Sequence, residues 1–427
     1  MSKWTTIYSK HVTRVEGHGN IYVKLNANGE LEDLKVEIPE SPRFFEAMLR
    51  GRKHDEASFI TSRICGICSI GHTTASLRAT EAALGITPSE QTVLLRKLNL
   101  DGETNQSHIL HYYFLAAPDG LGVGSVFPLV ESHPDVVLRA LRMKRLANDI
   151  GAVVGGRETH PTSEVVNGFT SLPSEADLKS LRARLDESFE DLDATVDLFA
   201  SLEFPEFERE TEYISLTNPN EYAFYDGDIK SSTQGVVPEA EYKEFIHETV
   251  VDHSMAKHTY GDRESIMVGA LARFNNNYDQ LYDRAKQAAD KMGLKAPCYN
   301  TFFNNHAQVV ETVHATENAI RIIDTLLERG LKEEDRSYEV RAGRGVAGVE
   351  VPRGLLIHDY TYEPAGTITA ANCIIPTNQN FNNMEHDMRA IVPTLVDEPE
   401  PKAQLTLEMM MRAYDPCISC SVHVTRV

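Results

Sequence analysis

Two Cys-x-x-Cys pairs stand near opposite ends of this chain, Cys65 and Cys68 in RICGICSIGH and Cys417 and Cys420 in DPCISCSVH. Each is followed at a short interval by a histidine, His72 and His423. Four thiolates suffice for a tetrahedral zinc or for a softer transition-metal centre. Zinc ribbons keep their pairs about 15 to 20 residues apart, whereas nearly the whole chain intervenes here. Pairs that meet from opposite ends demand a buried centre inside a large core, with metal insertion available as a last step of folding. If all four serve one metal centre through bonds near the ~2.3 Å of zinc–thiolate, their sulfurs lie within roughly 3 to 5 Å of one another. A structural zinc site and a thioredoxin-like redox pair are the plainer alternatives. The second is disfavoured because neither pair follows a βαβ pattern.

The cysteine count points the same way. Six in 427 residues are too few for a disulfide framework and favour a reducing compartment with metal-binding or catalytic thiols. At 41% hydrophobic content the chain can bury the large core that such a centre needs. The excess of 63 acidic over 42 basic residues, a formal charge of -21, excludes nucleic acid and anionic membrane surfaces as partners. Most of that charge reads as a solvated face. No apolar run is long enough to span a bilayer, and MSKWTTIYSKHVTRVEG lacks the apolar stretch of a signal peptide, so a cytoplasmic location is expected.

The first fifty residues are the clearest β region, with NIYVKLNANGELEDLKVEIPE alternating around an Asn-Gly turn. Helical periodicity then dominates in TASLRATEAALG, SEQTVLLRKLNLDGETNQSHILHYYFLAA, HPDVVLRALRMKRLANDIGAVVGG, PSEADLKSLRARLDESFEDLDATVDLFASL and NHAQVVETVHATENAIRIIDTLLERG. Residues 205–240 read as a surface β excursion, GVEVPRGLLIHDYTYEPAGTITAANCIIPT as a further β segment, and the last stretch as helix again. The expected fold is α+β and mainly α: a long-helix bundle with peripheral antiparallel β segments. No repeat, low-complexity tract or domain boundary interrupts 1–427, which reads as one unit.

RVEGHG, PRFFEA, RICGICSIGH, PRGLL, CIIPTNQN and DPCISCSVH occur in this order, and over essentially its whole length the chain resembles the large subunit of nickel-iron hydrogenases. Related subunits of respiratory complex I share that fold without the four cysteines. Within the family, PRFFEA and the C-terminal motif resemble the cytoplasmic bidirectional enzymes, the NADP-linked soluble hydrogenases and sulfhydrogenases.

The resemblance implies nickel held by all four thiolates, Cys65 and Cys417 terminal, Cys68 and Cys420 bridging to an iron that carries carbon monoxide and cyanide. Soft thiolates let nickel change redox state where oxygen ligands would not. Splitting dihydrogen needs a metal and a nearby base. Cys417 and the guanidine of Arg353 are the two candidates, although arginine is normally always protonated. Glu16 in RVEGHG matches a first proton relay. His72, one helical turn beyond Cys68, is placed to donate to the bridging sulfur. Glu46, the carbonyl of Cys373 and His423 match a magnesium site. Pro352, Arg353, Pro376 and Thr377 fall where cyanide ligands would be held, and Asp415 matches the acidic partner of the arginine. Ser107 stands where many members have an aspartate. His108 and His111, on the same helix, are open between supporting the site and filling the core. Cys298 matches nothing in the family and reads as an incidental thiol. Residues 424–427 resemble a peptide removed by a maturation protease after nickel-insertion factors have acted.

This implies an enzyme that interconverts dihydrogen with protons and electrons. With only Cys298 and Cys373 left over, too few thiols for an iron–sulfur cluster, it must pass electrons to an iron–sulfur small subunit and, through flavin- and NAD(P)-binding subunits, onward. The alternatives are a hydrogen-sensing regulator built on the same site and a structural four-cysteine zinc protein.

Overall fold

The computed structural model describes residues 2–422. His423 and 424–427, the expected magnesium ligand and removable peptide, lie outside the described residues. The alternating N-terminal stretch forms an antiparallel sheet of β1 (Thr6–Ser9), β2 (Asn20–Leu25) and β3 (Leu31–Glu37). Asn26 builds the β2–β3 turn, its Oδ1 accepting from the N–H groups of Asn28 and Glu30 at 2.8 and 3.0 Å. Gly29 completes it at a φ of 82°, where a side chain would be strained.

The helices follow the apolar periodicity with three informative differences. Helix α1 (Ser69–Leu84) begins directly after Cys68, more than a turn before its periodic pattern does. Helix α2 (Glu90–Ile109), capped by the Ser89 hydroxyl accepting from the Thr92 N–H at 3.0 Å, runs into a π-helical stretch, Leu110–Ala116. Such widened turns are frequent at functional sites. Helix α3 (Pro134–Gly155) follows. The long pattern after it is split into α4 (Glu175–Glu187) and α5 (Phe189–Ser201) at Ser188, whose hydroxyl donates to the Leu185 carbonyl at 2.7 Å and competes with the helical ladder.

Strands β4 (Glu212–Thr217), β5 (Asp228–Ser231) and β6 (Gly235–Val237) pair antiparallel, and β7 (Ile266–Met267) joins β4 in parallel. The expected surface excursion is therefore corrected: Glu212–Leu216 is buried throughout. Helix α6 (Ala270–Asn277) packs on β4, and Glu212 accepts from Ser231 Oγ at 2.6 Å and Gln234 Nε2 at 2.7 Å.

Helix α7 (Asn304–Arg329) lies at the centre of the bundle against α2, α4 and α6. An antiparallel sheet of β8 (Gly343–Val351), β9 (Gly354–Tyr362) and β10 (Ile368–Ile374) packs on α1. Glycine is required at that contact: a Cβ at Gly343 or Gly345 would lie 2.2 Å from the Ala83 carbonyl oxygen or 2.0 Å from that of Ala79. Helices α8 (Pro376–Leu395) and α9 (Glu400–Ala413) complete the fold. No helix among the described residues is long and apolar enough to cross a membrane.

The two chain ends are fastened together. The Trp4 indole donates to the Leu395 carbonyl at 3.0 Å, and Asp119 is shared by Arg14 at 2.5 Å and Arg412 at 2.7 Å. Under the β8–β9 turn, fully buried Arg273 grips Glu311 at 2.6 Å and Glu350 at 2.7 Å and donates to the carbonyls of Val351 and Pro352 at 3.0 and 3.1 Å. Replacing Arg273 by Met strands two buried carboxylates. It is expected to cost about 3–5 kcal/mol of stability, read as a lower denaturant midpoint; an unchanged midpoint would show that the cluster is not a stabilising unit.

Candidate metal centre

The loop before α1 carries Cys65 and Cys68, and a short helix, Ile418–Ser421, lies between Cys417 and the last described residues. The fold brings the four sulfurs within 4.8 Å of one another, with Cys65 and Cys417 at 3.4 Å. All four thiols are buried and none is in a disulfide. The Cys65 sulfur accepts from the N–H groups of Ile67 and Cys68 at 3.3 and 3.2 Å. Burial resists its ionisation, but hydrogen bonds from the other three thiols and the positive Arg353 together hold Cys65 well below the ordinary thiol range. The remaining thiols then resist a second charge. Cys68, favoured by hydrogen bonds from Cys417 and Cys420 but opposed by Cys65 and burial, is pushed up to about 11. Contacts with the other thiols push Cys417 well up, as burial does Cys420. Four convergent soft donors make a nest suited to a soft cation.

Above them lies Arg353, in the two-residue turn between β8 and β9. Its Nε donates to the Asp415 carbonyl at 2.8 Å, its Nη2 to the Asp415 carboxylate at 2.8 Å and its Nη1 to Ser107 Oγ at 3.2 Å. Burial works against its charge, but Asp415 and then the sulfurs of Cys417, Cys68 and Cys65 overcome this and hold the guanidinium well above its ordinary value. Ser107 thus offers the guanidinium a neutral acceptor. Asp415 also accepts from Gln308 Nε2 at 3.0 Å. His111 hydrogen-bonds through both ring nitrogens, to Gln308 Oε1 at 2.6 Å and the Arg412 carbonyl at 2.7 Å, and so braces this acidic partner. His108 instead faces Glu311 at 2.8 Å, within the Arg273 cluster. The Thr377 hydroxyl, beside Pro376 at the start of α8, accepts from the Cys417 N–H at 3.0 Å.

Half-buried Glu16 runs alongside the C-terminal pair. Its carbonyl accepts from the Ile418 N–H at 3.0 Å, and its carboxylate accepts from the Ser419 N–H at 3.1 Å and from the Ser419 hydroxyl. Gly17 permits this approach, since a Cβ there would lie 2.7 Å from Ile418 Cβ.

His72 lies one turn into α1, its N–H donating to the Cys68 carbonyl at 3.1 Å, and its Nδ1 faces His358 Nε2 at 3.3 Å. Burial pushes it down to about 4, so the ring is neutral. Two residues that the motifs did not single out hold this loop from α2. Glu103 Oε2 and Oε1 accept from the N–H groups of Ile70 and Gly71 at 2.7 and 3.0 Å, capping α1 from another helix, and Gln106 Nε2 donates to the Ile67 carbonyl at 2.7 Å.

Glu46 and Cys373 also meet: Glu46 Oε1 accepts from the Cys373 N–H at 3.0 Å. Beside them is a pair the sequence did not reveal, Lys257 with Glu248 at 2.8 Å, close enough to Glu46 to feel its charge. Cys298 is away from the centre, partly buried, with its sulfur 3.9 Å from the Asn300 carbonyl.

A helical fold closed around four buried thiols and one guanidinium defines a metalloprotein of soft-metal type. The chain belongs to the nickel-dependent hydrogenase family, as a large-subunit member: the family matches residues 43–129 and 202–423, and the HoxL-like family matches 6–41. It is accordingly an oxidoreductase acting on H2 and one component of a multi-subunit enzyme. It is 36% identical to the sulfhydrogenase 1 alpha subunit of Pyrococcus furiosus over 98% of this chain and 97% of that one. It is 26% identical to the HoxS beta subunit of the NAD-reducing hydrogenase of Cupriavidus necator, over 96% and 93% of the two chains. Its fold superposes on an NAD+-reducing [NiFe]-hydrogenase crystal structure with a TM-score of 0.87 at 25% identity, covering 99% of this chain and 100% of that one. The [NiFeSe] hydrogenase of Desulfovibrio vulgaris Hildenborough shares the fold at a TM-score of 0.77 and 24% identity, over 98% and 99% of the chains.

The Glu103 cap generates an expectation of its own. Glu103→Ala leaves two buried N–H groups without an acceptor, at about 1–3 kcal/mol each, whereas Glu103→Gln keeps one acceptor oxygen. Melting temperature and nickel per chain should fall in the order wild type, Gln, Ala; an Ala variant equal to wild type in both would remove Glu103 from the loop's support.

Proposed function

We propose that this chain is the hydrogen-splitting subunit of an NAD(P)-linked [NiFe]-hydrogenase, with Cys65, Cys68, Cys417 and Cys420 holding the nickel and iron. The convergence of four buried, unpaired thiols carries this reading. A nickel-iron centre, when bound, supplies the Lewis-acidic and redox-active site at which dihydrogen is polarised and its electrons are accepted. Carbon monoxide and cyanide on the iron belong to the same reading, with Arg353 and Thr377 as donors and Pro352 and Pro376 as the apolar wall. Magnesium would fall to Glu46, Cys373 and His423.

The protein's own part is to move the proton. Between the two candidate bases, Arg353 is clamped in its charged form by Asp415, so Cys417 is the better acceptor, and the guanidinium's role is to fix and polarise. Glu16 takes the proton next: it is half-buried where the thiols are sealed, it adjoins the Cys417–Ser419 segment, and a carboxylate is a competent proton relay. Asp415, held by Gln308 and His111, keeps Arg353 in place.

The short helices Phe45–Leu49 and Ala57–Thr61, which lead toward Cys65, leave Phe44, Met48 and Phe59 exposed. An apolar surface beside the entrance to the centre suits an iron–sulfur small subunit that takes the electrons. Similarity to an NAD-reducing hydrogenase supports further flavin- and NAD(P)-binding subunits and a cytoplasmic location.

Glu16→Gln keeps the shape and loses the acid. Nickel and iron per chain should be unchanged while deuterium–water exchange falls about 100-fold or more; undiminished exchange would make Glu16 structural only. For the assignment as a whole, infrared spectroscopy of the anaerobically purified protein should show metal-bound carbon monoxide and cyanide, and hydrogen should reduce NAD(P)+ through the complete complex. Zinc alone in the four-thiol site would reject the reading. A centre with those infrared bands but negligible turnover would favour the hydrogen sensor.

A further inference from the structure

A second group of metal-ligating side chains lies outside the thiol centre. His253, His258 in the strand His258–Tyr260, and Glu385 on α8 place one ligand atom each within 4.8 Å of one another. His253 Nε2 is 2.7 Å from Glu385 Oε1, and the two imidazole rings stand edge to face with centroids 5.4 Å apart.

His258 distinguishes this group from an ordinary hydrogen-bonded pair. It is 4% exposed, and its Nε2 is buried without a hydrogen-bond partner. A buried polar atom is almost always satisfied, and an orphan beside a second imidazole and a carboxylate is the arrangement an electrophile completes. Burial pushes His258 down to about 4, so the ring is in its neutral, ligating form.

The surroundings leave the carboxylate available. Glu385 Oε1 accepts from the Val36 N–H of β3 at 2.9 Å, which fixes its orientation. Arg389, the nearest cation on α8, stands 3.9 Å from Oε2 but is turned to the Leu34 carbonyl, to which it donates at 2.7 Å. The His253 side chain is 22% exposed and gives an ion a way in from solvent.

We propose that His253, His258 and Glu385 form a second metal site, separate from the thiol centre, for a divalent borderline ion of the zinc type. Two imidazoles and a carboxylate suit such ions and leave a fourth position for water. The proton between His253 and Glu385 is what the ion displaces. Bound there, it ties three segments, β3 through Val36 and Glu385, the loop at His253 with its strand, and the middle of α8, whose first turn supports Cys417.

The test uses the assembled hydrogenase, dialysed against EDTA under conditions that retain its nickel, then equilibrated with micromolar Zn2+. One zinc per chain should be taken up beyond the nickel and iron, raising the melting temperature. Zinc-edge X-ray absorption should show nitrogen and oxygen ligands near ~2.0–2.1 Å and no sulfur near ~2.3 Å. His258→Ala and the more exposed His253→Ala should each lower uptake at least tenfold with nickel content and H2 oxidation unchanged. No uptake, a sulfur shell, or undiminished zinc in the His253 variant would overturn the site, whichever way the nickel-iron assignment falls.

Discussion

The structure turns on an electrostatic problem at one point: four thiols are buried together, and a low-dielectric interior tolerates little unpaired charge. Against burial, hydrogen bonds from the other three thiols and then the charge of Arg353 sustain one thiolate, Cys65, and that cation is already matched by Asp415. A second and third thiolate have no counter-charge among these residues, which is why the other three thiols hold their protons. Only incoming cations let all four ionise.

Holding the thiols together also means closing the chain on itself, and the entropic cost of that closure grows only slowly with length. The fold meets it with contacts made by the ends themselves: Trp4 with Leu395, Arg14 and Arg412 on Asp119, and Glu16 with Ile418 and Ser419. The same RVEG segment that closes the chain therefore carries the carboxylate beside Cys417. On the proposed proton route, closure and proton exit share residues, so neither is separable from the other by substitution in this segment, save where the carboxyl alone is exchanged for an amide.

Legibility in the sequence follows the range of the interaction. Residues in compact motifs, the cysteines, Glu16, Arg353, Asp415 and Thr377, could be picked out because their neighbours identify them. Glu103, Gln106 and Gln308 could not: each is a single polar residue in a helix whose partner is far along the chain, and periodicity treats such residues as solvent-facing. The buried β4 strand was misread because the turn formers around it suggested surface, whereas its own polar Glu212 is satisfied by Ser231 and Gln234. The early start of α1 depends on Glu103 as well. Local sequence gives no cap there, and the acceptor comes from α2.

The shell around the thiols is consequently polar in its design. Arg273 grips the carbonyls of Val351 and Pro352 from below, while Asp415 and Ser107 hold Arg353 from the other side. A two-residue turn is thereby fixed by hydrogen bonds of defined direction, which specify orientation in a way that apolar contact does not. Apolar packing supplies the bulk of the burial around it, but a methylene more or less there shifts volume, whereas one displaced guanidinium turns a donor away from the site. Precision at the centre therefore resides in the few buried charges, and their mutual pairing is the condition under which a pocket this dry can keep them.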